Sequence, residues 1–312
     1  MQITILANPR SGHGKALRLA DELDGILKSR GHGTIRPALE RDLDLKAAAG
    51  GSDRLVIVGG DGTIHHSCGP AAELGVPVYH LATGTENLFA RFFKMPRDPK
   101  PAADVIEQDH PPTEIDLGSA NGVPFALMCS LGLDASVIHR VEAVRGRKGG
   151  HAMYVIPSVV EGLRPRVAKL SITHESRGST GQNPPAEAFD FTGTAIVSNI
   201  PAYALRMDPC HDARINDGQL DLALLNSTTS VGTAFDFLRC KLRSKRIRRL
   251  RSERFAICTR VNAEPSRVQI DGERPIPGSP LPATLAAGNQ LVLGIWPTRM
   301  KVHASPESVG SC

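Results

Sequence analysis

The sequence predicts an α/β N-terminal domain, Rossmann-like with a mostly parallel sheet, followed by a C-terminal antiparallel β-sandwich domain. Three observations predict it. Short apolar runs alternate with helically spaced segments through the first third of the chain, the signature of βαβ units. After about residue 110 the apolar runs follow one another with few helices between, as in a predominantly antiparallel β domain. The length, 312 residues, suits two domains. The boundaries are set at 1–125 and 126–297, with a loosely ordered tail over 298–312.

The elements follow in order. ITIL (3–6) reads as a buried strand, and the polar loop ANPRSGHG follows it. KALRLADELDGILKSRG carries apolar residues at 17, 20, 23 and 27, which is helical spacing, with Gly31 as the stop. TIRPAL (34–39) is a second strand and DLDLKAAAG a helix. LVIV (55–58) is a third strand, IHHSCGPAAELG a helix, and PVYHLA (77–82) a fourth strand. TEIDLGSANGVPFALMCSLG reads as two strands around an Asn121-Gly122 turn. VAKLSITHE, FTGTAIVSNI, QLDLALLN, RFAICTRVN, SRVQIDGE and QLVLGIW continue the β pattern, with helices expected near 134–163 and 229–250. Residues 175–187 read as a mobile connection.

Composition excludes several classes. No apolar stretch approaches the roughly 18–20 residues of a membrane span. The opening MQITILANPR lacks a basic lead and a long apolar middle, so it reads as a first strand and not a signal peptide. The six cysteines, at 68, 129, 210, 240, 258 and 312, form no CxxC pair and no zinc spacing, which suits reduced thiols in the cytoplasm. The net charge of +5 is concentrated: RCKLRSKRIRRLRSER (239–254) holds nine Lys/Arg and one Glu, so the rest of the chain is net negative. A local basic patch of this kind suits an anionic membrane surface, with Arg243, Lys245, Arg246, Arg248 and Arg249 as contacts, or a solvated helix face. Aromatics do not interleave with the charges, so stacking on nucleic-acid bases is not supported.

The most informative stretch is RLVIVGGDGTIHHS (54–67). A strand running through a glycine-rich turn into a helix start presents backbone N–H groups and the positive end of a helix dipole, an anion site. Glycines let the main chain approach a phosphate closely. Asp61 repels phosphate unless a divalent cation bridges the two, so Mg²⁺ and a nucleoside triphosphate are the natural pair. PRSGHGKA is not a P-loop, because Pro9 stands at the first glycine and Ala16 replaces Ser/Thr. Taken alone, GGDGT, DGE (271–273) and NDG (216–218) are equally compatible with turns that serve packing, and His65 and His66 with a helix start.

At these residues the sequence resembles the diacylglycerol-kinase catalytic family, specifically bacterial lipid kinases related also to sphingosine kinases. NPRSG (8–12), GGDGT (59–63), GTENLFAR (84–91), SLGLDA (130–135), NDGQLDL (216–222) and DGE (271–273) match its segments in order. The resemblance implies two domains with an active site in the cleft between them, ATP and Mg²⁺ as cofactors, and a lipid hydroxyl as acceptor. It implies that Asn8, Pro9, Arg10, Ser11, Gly12, Gly59, Gly60, Asp61, Gly62, Thr63, Gly84, Thr85 and Asn87 bind ATP. Asp61 would hold the catalytic Mg²⁺ and Glu273 would act as general base. A second, structural metal would take the Asp217 carboxylate with backbone oxygens of Arg214 and Gln219. Taken by themselves, Asp116 and Asp134 are compatible with merely supporting the cleft.

The sequence departs from the family at His65-His66, where many relatives carry Asn-Glu, at Leu39 in place of a polar Thr, and at Leu88 in place of Asp. The expected enzyme is a cytoplasmic, peripherally membrane-associated lipid kinase. The alternatives are a NAD-kinase-like enzyme with a soluble acceptor, and an inactive nucleotide- or lipid-binding regulator. Which lipid is used and the oligomeric state stay open.

Overall fold

The computed structural model describes residues 1–39, 43–144, 161, 165–175 and 187–305. The chain divides into two compact units, one of Met1–Leu117 with the segment from Pro297 on, the other Gly118–Trp296. The division therefore differs from the sequence boundaries at both ends.

In the first unit, β1 (Gln2–Ala7), β2 (Gly33–Ile35), β3 (Arg54–Gly59) and β4 (Val78–Ala82) form a parallel sheet in the order β2-β1-β3-β4. β1, β3 and β4 are buried almost throughout, as continuous apolar strands covered on both faces must be. β2 stops at Ile35, short of the expected Leu39: Pro37 offers no N–H to a ladder. The helices are α1 (Lys15–Ser29), α2 (Leu45–Ala49), α3 (Asp61–Leu74), α4 (Leu88–Phe92) and α5 (Pro99–Ile106). α1 buries Ala16, Leu19, Ala20, Leu23 and Leu27, whereas Leu17, assigned to its apolar face from spacing, is 42% exposed.

The segment after Pro297 is not a loose tail as far as residue 305. Met300–Val302 forms a strand that pairs parallel with β4 and antiparallel with β5 (Thr113–Ile115), completing a six-stranded mixed sheet. Met300 and Val302 are fully buried. Three residues are too short a run to announce a strand.

The second unit holds an antiparallel sheet that curls around one core. It is built from β6 (Gly118–Ala120), β7 (Val123–Phe125), β8 (Met128–Leu131), β9 (Ala168–Glu175), β10 (Glu187–Ser198), β11 (Leu220–Leu225), β12 (Arg248–Ser252), β13 (Arg254–Thr259), β14 (Ser266–Ile270), β15 (Thr284–Leu285) and β16 (Gln290–Ile295); the strand at Met300–Val302 is β17. β10 joins the two halves, pairing β9 along its first part and β8 and β11 along its second. The core takes Phe125, Leu131, Leu170, Ile172, Leu222, Phe255 and Leu293 from strands of both halves. The β6–β7 turn is Asn121-Gly122, both at positive φ, as expected.

α6 (Leu133–Val144) opens the expected helix over 134–163; most of the remainder lies outside the described residues, as do 176–186 of the expected connection. α7 (Ser230–Lys241) is shorter than the expected 229–250. The Ser244 N–H closes its end on Arg239 O at 2.8 Å with Arg243 at φ 51°, and the chain then enters β12. The β12–β11 ladder sets Arg251 opposite Asp221, and this cross-strand pairing overrides the helical propensity of the basic run.

Candidate functional site

The sheet order reverses at β1 and β3, and the loops leaving their carboxyl ends sit where open α/β sheets bind ligands. Three loops meet there. Asn8 donates from Nδ2 to Thr63 Oγ1 at 2.9 Å and accepts the Arg10 N–H at 3.0 Å. The Ser11 and Thr83 hydroxyls are hydrogen-bonded at 2.7 Å. Gly12 has φ 61°, and a Cβ there would lie 2.9 Å from Thr83 O. A Cβ at Gly59 would strike Thr63, and one at Gly84 would lie 2.9 Å from Gly60 Cα. Gly12 and Gly84 are therefore where backbones touch, and Gly59 is where the Thr63 side chain packs. α3 begins at Asp61 with Gly60 as its cap, so the positive end of its dipole lies beside these loops.

Asp61 has a role that the sequence did not foretell. Its carboxylate accepts the backbone N–H groups of Leu88 (2.9 Å) and Phe89 (3.1 Å), capping α4. Asn87, at φ 48°, clasps Gly84 in both directions, accepting its N–H at 2.8 Å and donating to its carbonyl at 2.7 Å. The GGDGT loop is thus tied through Asp61 to the helix start that follows Gly84–Asn87. A carboxylate is the hard oxygen donor that Mg²⁺ prefers, so the chemistry of Asp61 suits that ion. Pro9 and Arg10 are exposed, and Gly62 and Thr85 half-buried.

Two residues of this site were missed from sequence. Thr83 is one, joined to Ser11 and to Gly59 O through its N–H. The other is His80, fully buried, whose Nε2 bonds Gly59 O at 3.0 Å; burial pushes its imidazole down to about 4, so it is a neutral donor. No motif marks a histidine in a buried strand as a loop support.

In the second unit, Glu273 follows the Asp271-Gly272 turn, whose residues have φ 50° and 77°. Ile270 and Glu273 exchange both backbone hydrogen bonds at 2.9 Å. The Asp271 carboxylate anchors this hairpin by accepting N–H bonds from Ala126, Leu127 and Met128 at 2.7–2.9 Å. Gln269 adds a second tether: its Oε1 accepts the Gly272 N–H at 2.8 Å while its Nε2 donates to Asp134 at 3.0 Å. Asp134 also accepts from Ser130 and the Tyr203 hydroxyl. Burial raises its pKa, against the pull of these hydrogen bonds. Asp134 therefore supports the Glu273 hairpin, whereas Asp116 is bound by Arg299 at 2.8 Å within the first unit.

At the NDG loop the Asp217 carboxylate is engaged by protein groups. Asp217 accepts the Gln219 N–H at 3.1 Å, and the Arg251 guanidinium stands 3.5 Å from its other oxygen. Arg251 also pairs with Asp221 at 3.1 Å and donates to Asp212 O at 2.6 Å. A fixed cation thus already serves the carboxylates and a carbonyl of this loop. Among the described residues no group of three or more His, Cys, Asp or Glu is disposed to hold a metal.

The basic run is less uniform than its sequence. Arg243, Lys245, Arg246 and Arg248 are exposed, and Arg248 lies 4.0 Å over the Phe189 ring. Arg249 turns inward to Pro209 O and Ser244 O, which takes it out of the expected contact set. Arg239 pairs with Asp236 at 3.0 Å. A cavity of about 690 Å³ in the second unit, lined by Ser119, Asn121, Glu175, Gly218, Glu253 and Arg254 among others, contains none of the predicted site residues.

Residues 2–120 match the family model of the diacylglycerol kinase catalytic domain. A diacylglycerol kinase of Mycobacterium tuberculosis is 30% identical over 240 residues, covering 72% of this chain and 74% of the relative. Among solved structures, a diacylglycerol kinase from Bacillus anthracis superposes with a TM-score of 0.65 at 16% identity, over 99% of this chain and 98% of that one. An NAD kinase from Archaeoglobus fulgidus in complex with ATP has a TM-score of 0.53 at 10% identity, over 99% and 96%. The fold is thus shared by enzymes of both names.

Proposed function

Because this chain belongs to the diacylglycerol kinase family, we propose that it is an ATP- and Mg²⁺-dependent lipid kinase acting on a hydroxyl of diacylglycerol or a related lipid. The observation that carries the reading is the three-loop convergence, in which Asn8–Thr63, Ser11–Thr83 and Asp61 to Leu88 and Phe89 lock glycine-rich backbone around the start of α3. In this reading Asn8–Gly12, Gly59–Thr63, Gly84, Thr85 and Asn87 hold the triphosphate through backbone N–H groups and short hydroxyls. Mg²⁺, held at Asp61, would neutralise charge on the phosphates. Glu273 takes the proton of the lipid hydroxyl as its oxygen bonds to the γ-phosphorus and the bond to the β,γ-bridging oxygen breaks, leaving ADP and the phosphorylated lipid. The Asp271 and Gln269 tethers keep the Glu273 backbone from wandering. The structural metal is left out of the proposal, because Arg251 serves that loop. The exposed basic residues Arg243, Lys245, Arg246 and Arg248 would hold the enzyme peripherally on an anionic membrane in the cytoplasm.

The test is transfer of labelled phosphate from ATP to a panel of lipid alcohols in mixed micelles, with NAD⁺ as a soluble acceptor. A labelled lipid is expected, with turnover of Glu273→Gln lowered by roughly 10²–10⁴-fold while KM for ATP stays within a few-fold. Labelled NADP⁺ would move the acceptor to the soluble class. Full turnover in Glu273→Gln would remove that residue from its role.

A further inference from the structure

α7 has its polarity turned inside out. A surface helix ordinarily buries its large apolar side chains. α7 buries Thr233, Asp236 and Cys240 instead. Phe237 is half-buried, but the other large apolar residues, Val231, Phe235, Leu238 and Leu242, are 68%, 54%, 48% and 70% exposed. Their spacing of four, three and four residues sets them in one stripe along the helix. Asp236 is fastened inward, accepting the Ser227 N–H at 3.1 Å and pairing with Arg239, so the helix is held with the stripe facing out.

The surroundings of the stripe name its occupant. Leu242 stands between Lys241 and Arg243, and Lys245, Arg246 and Arg248 follow, all exposed. The αL turn at Arg243 ends the helix there, so the cations gather at the end of the apolar stripe. An apolar stripe with cations at its end matches the boundary between acyl chains and anionic headgroups. We propose that α7 is a membrane-docking helix whose Val231, Phe235, Leu238 and Leu242 side chains enter the interface of an anionic bilayer, with the basic turn on the headgroups. The proposal rests on the lipid-kinase reading for its purpose and adds the element that brings the enzyme to a substrate dissolved in a bilayer.

The test uses the full chain and vesicles of phosphatidylcholine containing about one-third phosphatidylglycerol. The triple variant Phe235→Gln, Leu238→Gln, Leu242→Gln should lose at least roughly tenfold in vesicle partition. Its melting temperature and its turnover of a short-chain, water-soluble diacylglycerol should match the parent. A second variant, Lys241→Gln, Arg243→Gln, Lys245→Gln, Arg246→Gln, should lose partition chiefly at low salt. Parent-like partition by the triple variant overturns the proposal. So does a parent dimer that the triple variant turns into a monomer with partition unchanged, since the stripe would then be covered by a second copy. No turnover of the short-chain lipid by the parent defeats the kinase reading, and the partition measurement decides the docking separately.

Discussion

At the residue scale, the proposed function gives the carboxylate at 61 a second job beside its observed one. As a cap it satisfies the Leu88 and Phe89 N–H groups, and as a metal ligand it would meet the ATP-bound Mg²⁺. Asp61→Ala should therefore abolish turnover and also cost about 1–3 kcal/mol of stability, because two backbone donors lose their acceptor. Thermal unfolding beside an activity assay separates the two effects; an unchanged melting temperature would deny the cap its weight. Arg251 makes a second residue-scale prediction. Chelation with EDTA should leave the melting temperature unchanged, since the guanidinium already holds Asp217, Asp221 and Asp212 O. Arg251→Ala should cost about 1–3 kcal/mol and make the melting temperature rise on addition of Mg²⁺. A drop on chelation in the parent would restore a metal to the loop. Asp61 stood out in sequence because a carboxylate among glycines demands an explanation. Arg251 did not, because its partners lie about thirty residues away across a ladder.

At the element scale, the glycine loops act by contact and not merely by mobility. Gly84→Ala would press a methyl to 2.9 Å from Gly60 Cα and from the Asn87 side chain. It should raise the KM or Kd for ATP strongly, whereas Gly14→Ala, with open space around its Cβ, should cost only about 1 kcal/mol for its left-handed backbone at φ 86°. Equal effects on ATP binding would mean that backbone contact is not what these glycines supply. The parallel strands and α3 were legible because their apolar runs and caps are local. The end of α7 was not: the basic run favours helix by composition, and only the ladder with β11 makes it a strand. Nor could periodicity say which side of α7 faces the core.

At the scale of the whole molecule, acid should act through two buried histidines. Burial holds His80 and His303 down to about 4, the latter donating from Nε2 to Val105 O and stacked on His110. In the unfolded chain an imidazole titrates near 6.5, so between about 6.5 and 4 unfolding takes up protons. Stability is therefore fully present above that window and falls as pH falls through it, by up to about 1.4 kcal/mol per pH unit for each histidine. The raised carboxyl of Asp134 acts in the opposite sense toward the acid end. Melting temperature against pH for the parent and for His80→Gln, His303→Gln isolates the imidazoles; the same slope in both would locate the acid sensitivity elsewhere.

What the sequence determined by itself was local in origin: alternating apolar runs, glycine turns at strand ends, an Asn-Gly hairpin and an ordered set of family segments, each written in neighbouring residues. What only the tertiary structure decided depends on residues far apart. β17 joins β4 from more than two hundred positions away, Asp271 holds strand ends near residue 126, Asp61 caps a helix in another loop, and α7 turns its apolar stripe outward. Periodicity fixes which side chains share a face, but the partner that a face meets is set by packing of the whole chain.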